Sequence, residues 1–209
     1  YIINHFIDSE YGGSYWSVDY LGNAKDTKKQ FYAIGFMLYG MSEYVRAAIT
    51  DLRTPQTEIE ETIEISFQLF DTIEVHSLDR INNGYIEAQT REWGEIADMR
   101  LSDLDANYPK SQNTHLHIME PYTNLLRCLN EMETKGMSVD QNRKQQVADA
   151  LRNIICIFTD RILNPDTHHL DLFFENDWTR GAGWLESYGH DIECSWLMHE
   201  AAMVLADMD

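Results

Sequence analysis

DSEYGGSYWSVDYLGN (Asp8–Asn23), DRINNGYIEAQTREWG (Asp79–Gly94) and NPDTHHLDLFFENDWT (Asn164–Thr179) follow one plan. Each opens on turn formers, continues as a short run of alternating aromatic and polar residues, and leaves on a polar exit. That order is the signature of a small β-hairpin. Aligned on Gly13, Gly84 and His169, the three are separated by 71 and 85 residues. The chain therefore reads as a series of similar units, and what lies between the hairpins decides how the units pack.

Between the hairpins the pattern is helical. Residues 28–48 are apolar on nearly every face, with Phe31, Ile34, Phe36, Met37, Leu38 and Met41. Residues 58–75 instead carry a one-sided stripe of Ile59, Ile63, Phe67 and Phe70, as a half-buried helix does. The pair recurs: 114–132 is broadly apolar, and 143–163 shows a stripe of Val147, Leu151, Ile154, Ile155, Phe158 and Ile162. A third broadly apolar helix is predicted over about 188–206. Helices buried all round belong inside, and one-sided helices form an outer layer. Alternating the two around an axis makes an all-α fold, an α/α barrel or toroid with short β-hairpins in its long loops. A plain helical bundle is the alternative, because periodicity does not fix closure.

Hydrophobic residues make up 44% of the 209 residues, enough for a sizeable core, which excludes a disordered chain. The formal charge of −19, from 35 acidic against 16 basic residues, repels nucleic acid and anionic lipid. No apolar run reaches the length of a membrane span and no charged-then-apolar leader opens the chain. Cys128, Cys156 and Cys194 are widely spaced, form no CxxC and lie among apolar neighbours. They read as three reduced, buried thiols, which points to the cytoplasm. The chain begins in mid-pattern at Tyr1 and trails off a helix at Val204–Asp209. Both ends are expected to lie within a longer domain, so that residues 1–209 form a single partial catalytic domain.

The polar residues gather where the inner helices begin: Lys28-Lys29-Gln30-Phe31-Tyr32, Asn113-Thr114-His115-Leu116-His117 and Ser187-Tyr188-Gly189-His190-Asp191-Ile192-Glu193. In an α/α barrel these starts converge at one mouth and line one pocket. Asn113 and His117 are four apart, His190 and Glu193 three apart, so each pair shares a helix face. Pro121 is comfortable only in a first turn, which predicts that 113–120 is partly loop. A carboxylate beside an imidazole suits a proton-transferring histidine; a buried histidine satisfied by its neighbour is the bland alternative. His115, His117 and Glu120 could be read as metal ligands, but HxH on a helix splays its imidazoles and no HExxH is present. No cofactor is predicted. Nothing singles out two carboxylates as a glycosidase pair. Trp16, Trp93, Trp178, Trp184 and Trp196 fall mainly in loops near the mouth, and some suit stacking on sugar rings.

SYGHDIECSWLMHEAA (Ser187–Ala202), NTHLHIMEPYTNLLR (Asn113–Arg127), TKKQFYAIGFMLYGMSEYVRA (Thr27–Ala47) and YGGSYWSVDYLGN (Tyr11–Asn23) closely resemble the disaccharide-acting branch of the N-acylglucosamine 2-epimerase family. The likeness runs along the whole chain in order. It implies an (α/α)6 barrel, of which this chain is an internal stretch, about half the family's length. It also implies inversion at C2 of the reducing-end glucose of cellobiose or lactose, by two-base proton transfer through an enediolate. By the same resemblance His190 is one base and Glu193 the carboxylate that holds it. Asn113 and His117 match sugar-binding residues, and Asp105 and Tyr32 further pocket residues. The family's second catalytic histidine matches nothing in this chain, which is therefore expected to be inactive by itself. An N-acylglucosamine epimerase, a mannose isomerase and a non-catalytic sugar-binding barrel remain the other readings. The partner expected in each case is a small sugar, with no nucleic acid and no membrane.

Overall fold

Turn formers, caps and apolar periodicity place the elements where the repeat predicts them. The computed structural model describes residues 1–182 and 185–208. A short helix α1 (Ile2–His5) precedes the strands β1 (Ser17–Val18), β2 (Ala24–Asp26) and β3 (Lys29–Gln30). Then come helices α2 (Phe31–Ala48) and α3 (Gln56–His76), and strands β4 (Ala88–Gln89) and β5 (Lys110–Ser111). Helix α4 (Gln112–Thr134) and helix α5 (Gln141–Ile157) follow, the latter running on as a π-turn over Phe158–Ile162. Strand β6 (Phe173–Phe174) and helix α6 (Tyr188–Ala206) complete the chain. Asp140 caps α5 by accepting from the amides of Asn142 and Arg143, which satisfies two of the first-turn donors a helix leaves unpaired.

The three hairpin tips superpose in their bonding. Asp8 N–H donates to Gly13 O, Asp79 to Gly84 O and Asn164 to His169 O, at 3.0, 2.8 and 2.9 Å. Antiparallel bridges Ile7–Ser14, Leu78–Tyr85 and Leu163–Leu170 close the three loops. Each hairpin then reaches back to the inner helix of the unit before it. β3 pairs with β4, and β5 with β6, both antiparallel. Phe31 N–H donates to Glu87 O at 3.0 Å and Gln112 N–H to Leu172 O at 2.9 Å. The starts of α2 and α4 are thus fixed at the same end.

Two buried lysines reinforce this attachment. Lys29, with no exposed surface, pairs with Asp8 at 2.8 Å, donates to Gly12 O at 2.7 Å and lies over the ring of Trp93. One unit later Lys110 pairs with Asp79 at 2.8 Å, donates to Asn176 O and lies over Trp178. Trp93 and Trp178 donate their indole N–H to Tyr11 O and Asn82 O. Both are therefore structural braces rather than sugar platforms; Trp16 and Trp196 are exposed, and Trp184 lies outside the described residues. Gly84 has φ +86 and a Cβ there would come within 2.3 Å of Trp178, so only glycine fits. The third unit carries Asn164 and Glu186 at the positions of the paired Asp and Lys, and no such clamp forms there among the described residues.

Helices α2, α4 and α6 form an inner row, with α3 against α2 and α5 against α4. This is the two-layer packing of an α/α barrel. α4 is buried on every face, including Leu116, Ile118, Met119, Tyr122, Leu125 and Leu129, while α3 and α5 bury one side each. α6 buries Cys194, Leu197, Ala201 and Val204 and leaves Ile192, Trp196 and Met203 exposed. Among the described residues no helix is long and apolar enough to cross a membrane.

Two expectations fail here. α4 is helical from Gln112 straight through Pro121. Proline frees the carbonyl four residues earlier, that of His117, and a Cβ on Gly35 of α2 would stand 2.5 Å from that oxygen. A glycine on the neighbouring helix makes room for the displaced carbonyl, so the helix continues. Cys128 and Cys194 are buried as expected, but Cys156 is exposed. It falls on the outward side of α5, a face the stripe Val147–Ile162 does not include.

Burial by itself raises the carboxyls of Asp8 and Asp79. Hydrogen bonds outweigh it, from Arg91 and Lys29 to Asp8 and from Lys110 and backbone amides to Asp79, and hold both well below the usual range. Because the folded-state pKa lies below the unfolded one, this stabilisation is complete above about pH 4 and is lost as pH falls further. Asp79→Asn leaves the Lys110 ammonium buried beside a neutral group and should cost about 3 kcal/mol or more at pH 7. Urea denaturation should also show the variant's deficit shrinking toward pH 2, and Asp79→Leu combined with Lys110→Met recovering most of the loss.

Candidate functional site

The mouth of the inner row is built by the caps of α4 and α6. Ser111 accepts from Thr114 N–H, and Ser187 accepts from His190 N–H. With β5 pinned to β6, this sets Gln112 and Asn113 on the first turn of α4 facing His190 on the first turn of α6. The imidazole Nδ1 of His190 lies 2.8 Å from the Gln112 side-chain amide. A cavity of about 160 Å³ opens between them, lined by Glu87, Asp105, Ser111, Gln112, Asn113 and His190 among others.

Three of these predicted residues, Asp105, Asn113 and His190, come from separate parts of the chain and share this cavity. Asp105 reaches its rim on a loop turn, accepting from the amide and hydroxyl of Ser102, both at 2.8 Å. His117 and Tyr32 form an adjoining group. His117 Nδ1 is 3.1 Å from Glu120, and its ring meets Tyr32 edge-on at 4.9 Å and Phe36 at 5.0 Å between centroids. Burial, then the charges of Glu193 and Glu120, raise the Tyr32 phenol, so Glu193 lies close enough to this second group to act on it. Asn113 and His117, one turn apart on α4, connect the two.

The partner of His190 is where the expectation and the structure differ. Among the described hydrogen bonds none joins His190 to Glu193; the Nδ1 contact is to Gln112. Three-residue spacing shares a helix face, but α4 packs beside α6 and brings a polar group nearer to the ring. His115 takes the bland role. It is fully buried, its Nδ1 2.6 Å from Ser111 O and its Nε2 accepting the Tyr85 N–H. Burial lowers it to about 4, so it stays neutral and holds the second hairpin. Asp191 does the same work in the next unit, accepting from Leu170 N–H at 3.0 Å. Among the described residues no three His, Cys, Asp or Glu side chains are arranged to hold a metal ion.

Glu87 and Gln112 escaped the sequence reading. Glu87 is 5% exposed; one carboxylate oxygen accepts from Thr114 Oγ1 at 2.8 Å and the other is buried with no partner among the described residues. Burial, opposed by the neighbouring Ser111 and Thr114, raises it to about 7. Gln112 Oε1 and Asn113 Oδ1 are also buried and without a partner among the described residues. A signal existed in the repeat. Glu87 stands three residues beyond Gly84, where the sister hairpins carry Trp16 and Leu172, and Gln112 opens α4 where α2 and α6 open with Phe31 and Tyr188. Polar residues at positions that are apolar in the other units mark the site.

Glu87 titrates higher folded than unfolded (about 4.3 for free glutamate). Its contribution is therefore most favourable below about pH 4 and is lost as pH rises toward 7. Glu87→Gln should be progressively more stable than the parent from pH 4 to pH 8, read from urea midpoints. A constant difference across that range would mean that Glu87 titrates alike in the folded and unfolded states.

This chain has clear relatives among known proteins. No protein-family model matches it. It is 53% identical over 207 residues to the cellobiose 2-epimerase of Bacteroides fragilis, covering 99% of this chain and 47% of that protein. Among solved structures, a sugar epimerase from a ruminal bacterium matches with a TM-score of 0.82 at 36% identity, covering 100% of this chain and 47% of the other. The cellobiose 2-epimerase of Bacillus thermoamylovorans B4167 matches at 0.81 and 33%, covering 100% and 48%. The fold is the (α/α)6-barrel fold of these structures, and the chain spans about half the length of the curated relatives it matches.

Proposed function

We propose, for a chain similar along its whole length to about half of each cellobiose 2-epimerase it matches, that it supplies one wall of a sugar 2-epimerase site with His190 as a C2 base. The observation that carries this reading is the cavity itself. His190 stands in it beside Asn113, Asp105 and Glu87, and Asn113 Oδ1 and Glu87 Oε1 are buried with no partner among the described residues. Leaving an acceptor buried and unpaired costs about 1–3 kcal/mol. A polyhydroxylated ligand brings the missing donors, one per hydroxyl.

The chemistry follows from the substrate. Once the sugar ring has opened, the C2 proton lies next to a carbonyl and is acidic. His190 takes that proton; the C–H electron pair becomes the C1–C2 double bond, and the carbonyl pair moves to O1 as an enediolate. A proton returned to C2 on the opposite face, with the electrons flowing back, restores the aldehyde with inverted configuration. An imidazole, with a pKa near neutral, suits transfer in both directions. Asn113 and Asp105 bind hydroxyls of the open chain, His117 with Tyr32 holds the reacting end, and Glu193 carries the balancing charge on their side. A disaccharide is the substrate favoured. Asp105, Leu172 and Phe173 line both the small cavity and a neighbouring one of about 770 Å³, room for a second ring.

In deuterated water an epimerase introduces one deuterium at C2 of the product, whereas a sugar-binding barrel introduces none. His190→Ala should lower that incorporation by about 10²-fold or more with the melting temperature little changed. Asn113→Leu and His117→Leu should damage turnover more than stability. A mannose-ended product formed by the full-length protein without C2 deuterium, or no such product at all, would end the proposal.

A further inference from the structure

The proton inventory of His190 depends on a residue that carries no chemistry of its own. Gln112 is 2% exposed and its side-chain amide touches Nδ1 at 2.8 Å. The helix does not need an amide here, since α2 and α6 open with Phe31 and Tyr188. The two ends of an amide have nearly the same shape, so the surrounding hydrogen bonds decide which end faces the ring. With Nε2 toward Nδ1, Oε1 is left buried and without a partner among the described residues. Turned over, Oε1 accepts an N–H from Nδ1, and the NH₂ points into the cavity that Glu87 and Asn113 also line. The second orientation gives Oε1 a donor, and burial makes an orphaned oxygen expensive.

We infer that Gln112 is a positioning residue whose amide oxygen holds His190 in the Nδ1–H tautomer, leaving the Nε2 lone pair free to take the substrate proton. The catalytic meaning rests on His190 being the base; the tautomer itself does not. Free imidazole favours the other tautomer, so the Gln112 contact is what selects this one. Of the charged groups lining the cavity, Glu87 bonds Thr114, Asp105 bonds Ser102, and Arg100 pairs with Asp98. Asp191, on the same helix, bonds His169. Among the described residues Gln112 is the group that reaches Nδ1.

Nitrogen NMR of histidine-labelled protein reads the tautomer directly, with His190 assigned by its loss in His190→Gln. Spectra are taken at about pH 9, above the usual imidazole pKa of roughly 6.5. The parent should show a protonated Nδ1 and a bare Nε2. Gln112→Leu should lower the Nδ1–H to Nε2–H ratio about tenfold, the equivalent of one hydrogen bond of about 1.4 kcal/mol. Gln112→Glu, which only accepts, should keep Nδ1–H. A parent with Nε2–H overturns the inference, as does an unchanged ratio in Gln112→Leu. Should the leucine variant fail to fold, the parent and Gln112→Glu spectra still decide. The measurement needs no turnover, so absent C2 deuterium would defeat the proposed activity while leaving this result standing.

Discussion

Everything at the mouth of this protein hangs on attaching a polar hairpin to the start of an apolar helix. An inner helix buried on all sides needs its first amides satisfied and its end held, and water is not there to do it. The chain solves this twice with the same parts. The hairpin of the next unit lends a carbonyl to the first helical amide, and a buried lysine ties the preceding strand to the aspartate at a hairpin tip. The two ammonium groups are costly to bury, and aspartate, carbonyl and indole face together offset that cost. Geometry follows at once: both helix starts lie at one end.

At that end polar side chains from separate parts of the chain gather around a cavity. α4 shows the consequence most clearly. Past its first turn it is packed all round, yet its first two turns carry Gln112, Asn113, His115 and His117. His115 is absorbed by the scaffold as an acceptor for a hairpin amide. Gln112, Asn113 and His117 are left for a cavity or its border. Gly35 and Pro121 belong to the same arrangement, since the close approach of α2 to the freed His117 carbonyl brings Tyr32 and Phe36 against the His117 ring.

The site stores some of the stability that the core supplies. Unpaired oxygens on Glu87 and Asn113, and a carboxyl raised to about 7 by burial, are unfavourable in a folded protein with nothing bound. Such groups persist where a ligand completes them. Structural histidines and carboxylates elsewhere in the same helices, His115 and Asp191, are fully bonded by contrast.

Local rules were enough for the hairpin plan, the inner and outer helices, and the gathering of polar residues at helix starts. Turn residues, caps and apolar periodicity act over a few positions and are written into adjacent letters. The repeat even marked Glu87 and Gln112, as polar residues at positions apolar in the sister units, although reading that mark requires lining the units up in register. Tertiary packing alone decided the rest. Glu193 is three residues from His190, yet a side chain 78 residues away reaches the imidazole first, because α4 and α6 lie side by side. Pro121 continues its helix because a glycine on another helix makes room for a displaced carbonyl. Cys156 is exposed because nothing covers that side of α5 among the described residues. Each outcome depends on which surface a neighbouring helix presents, and a neighbour's surface is not a property of the segment it covers.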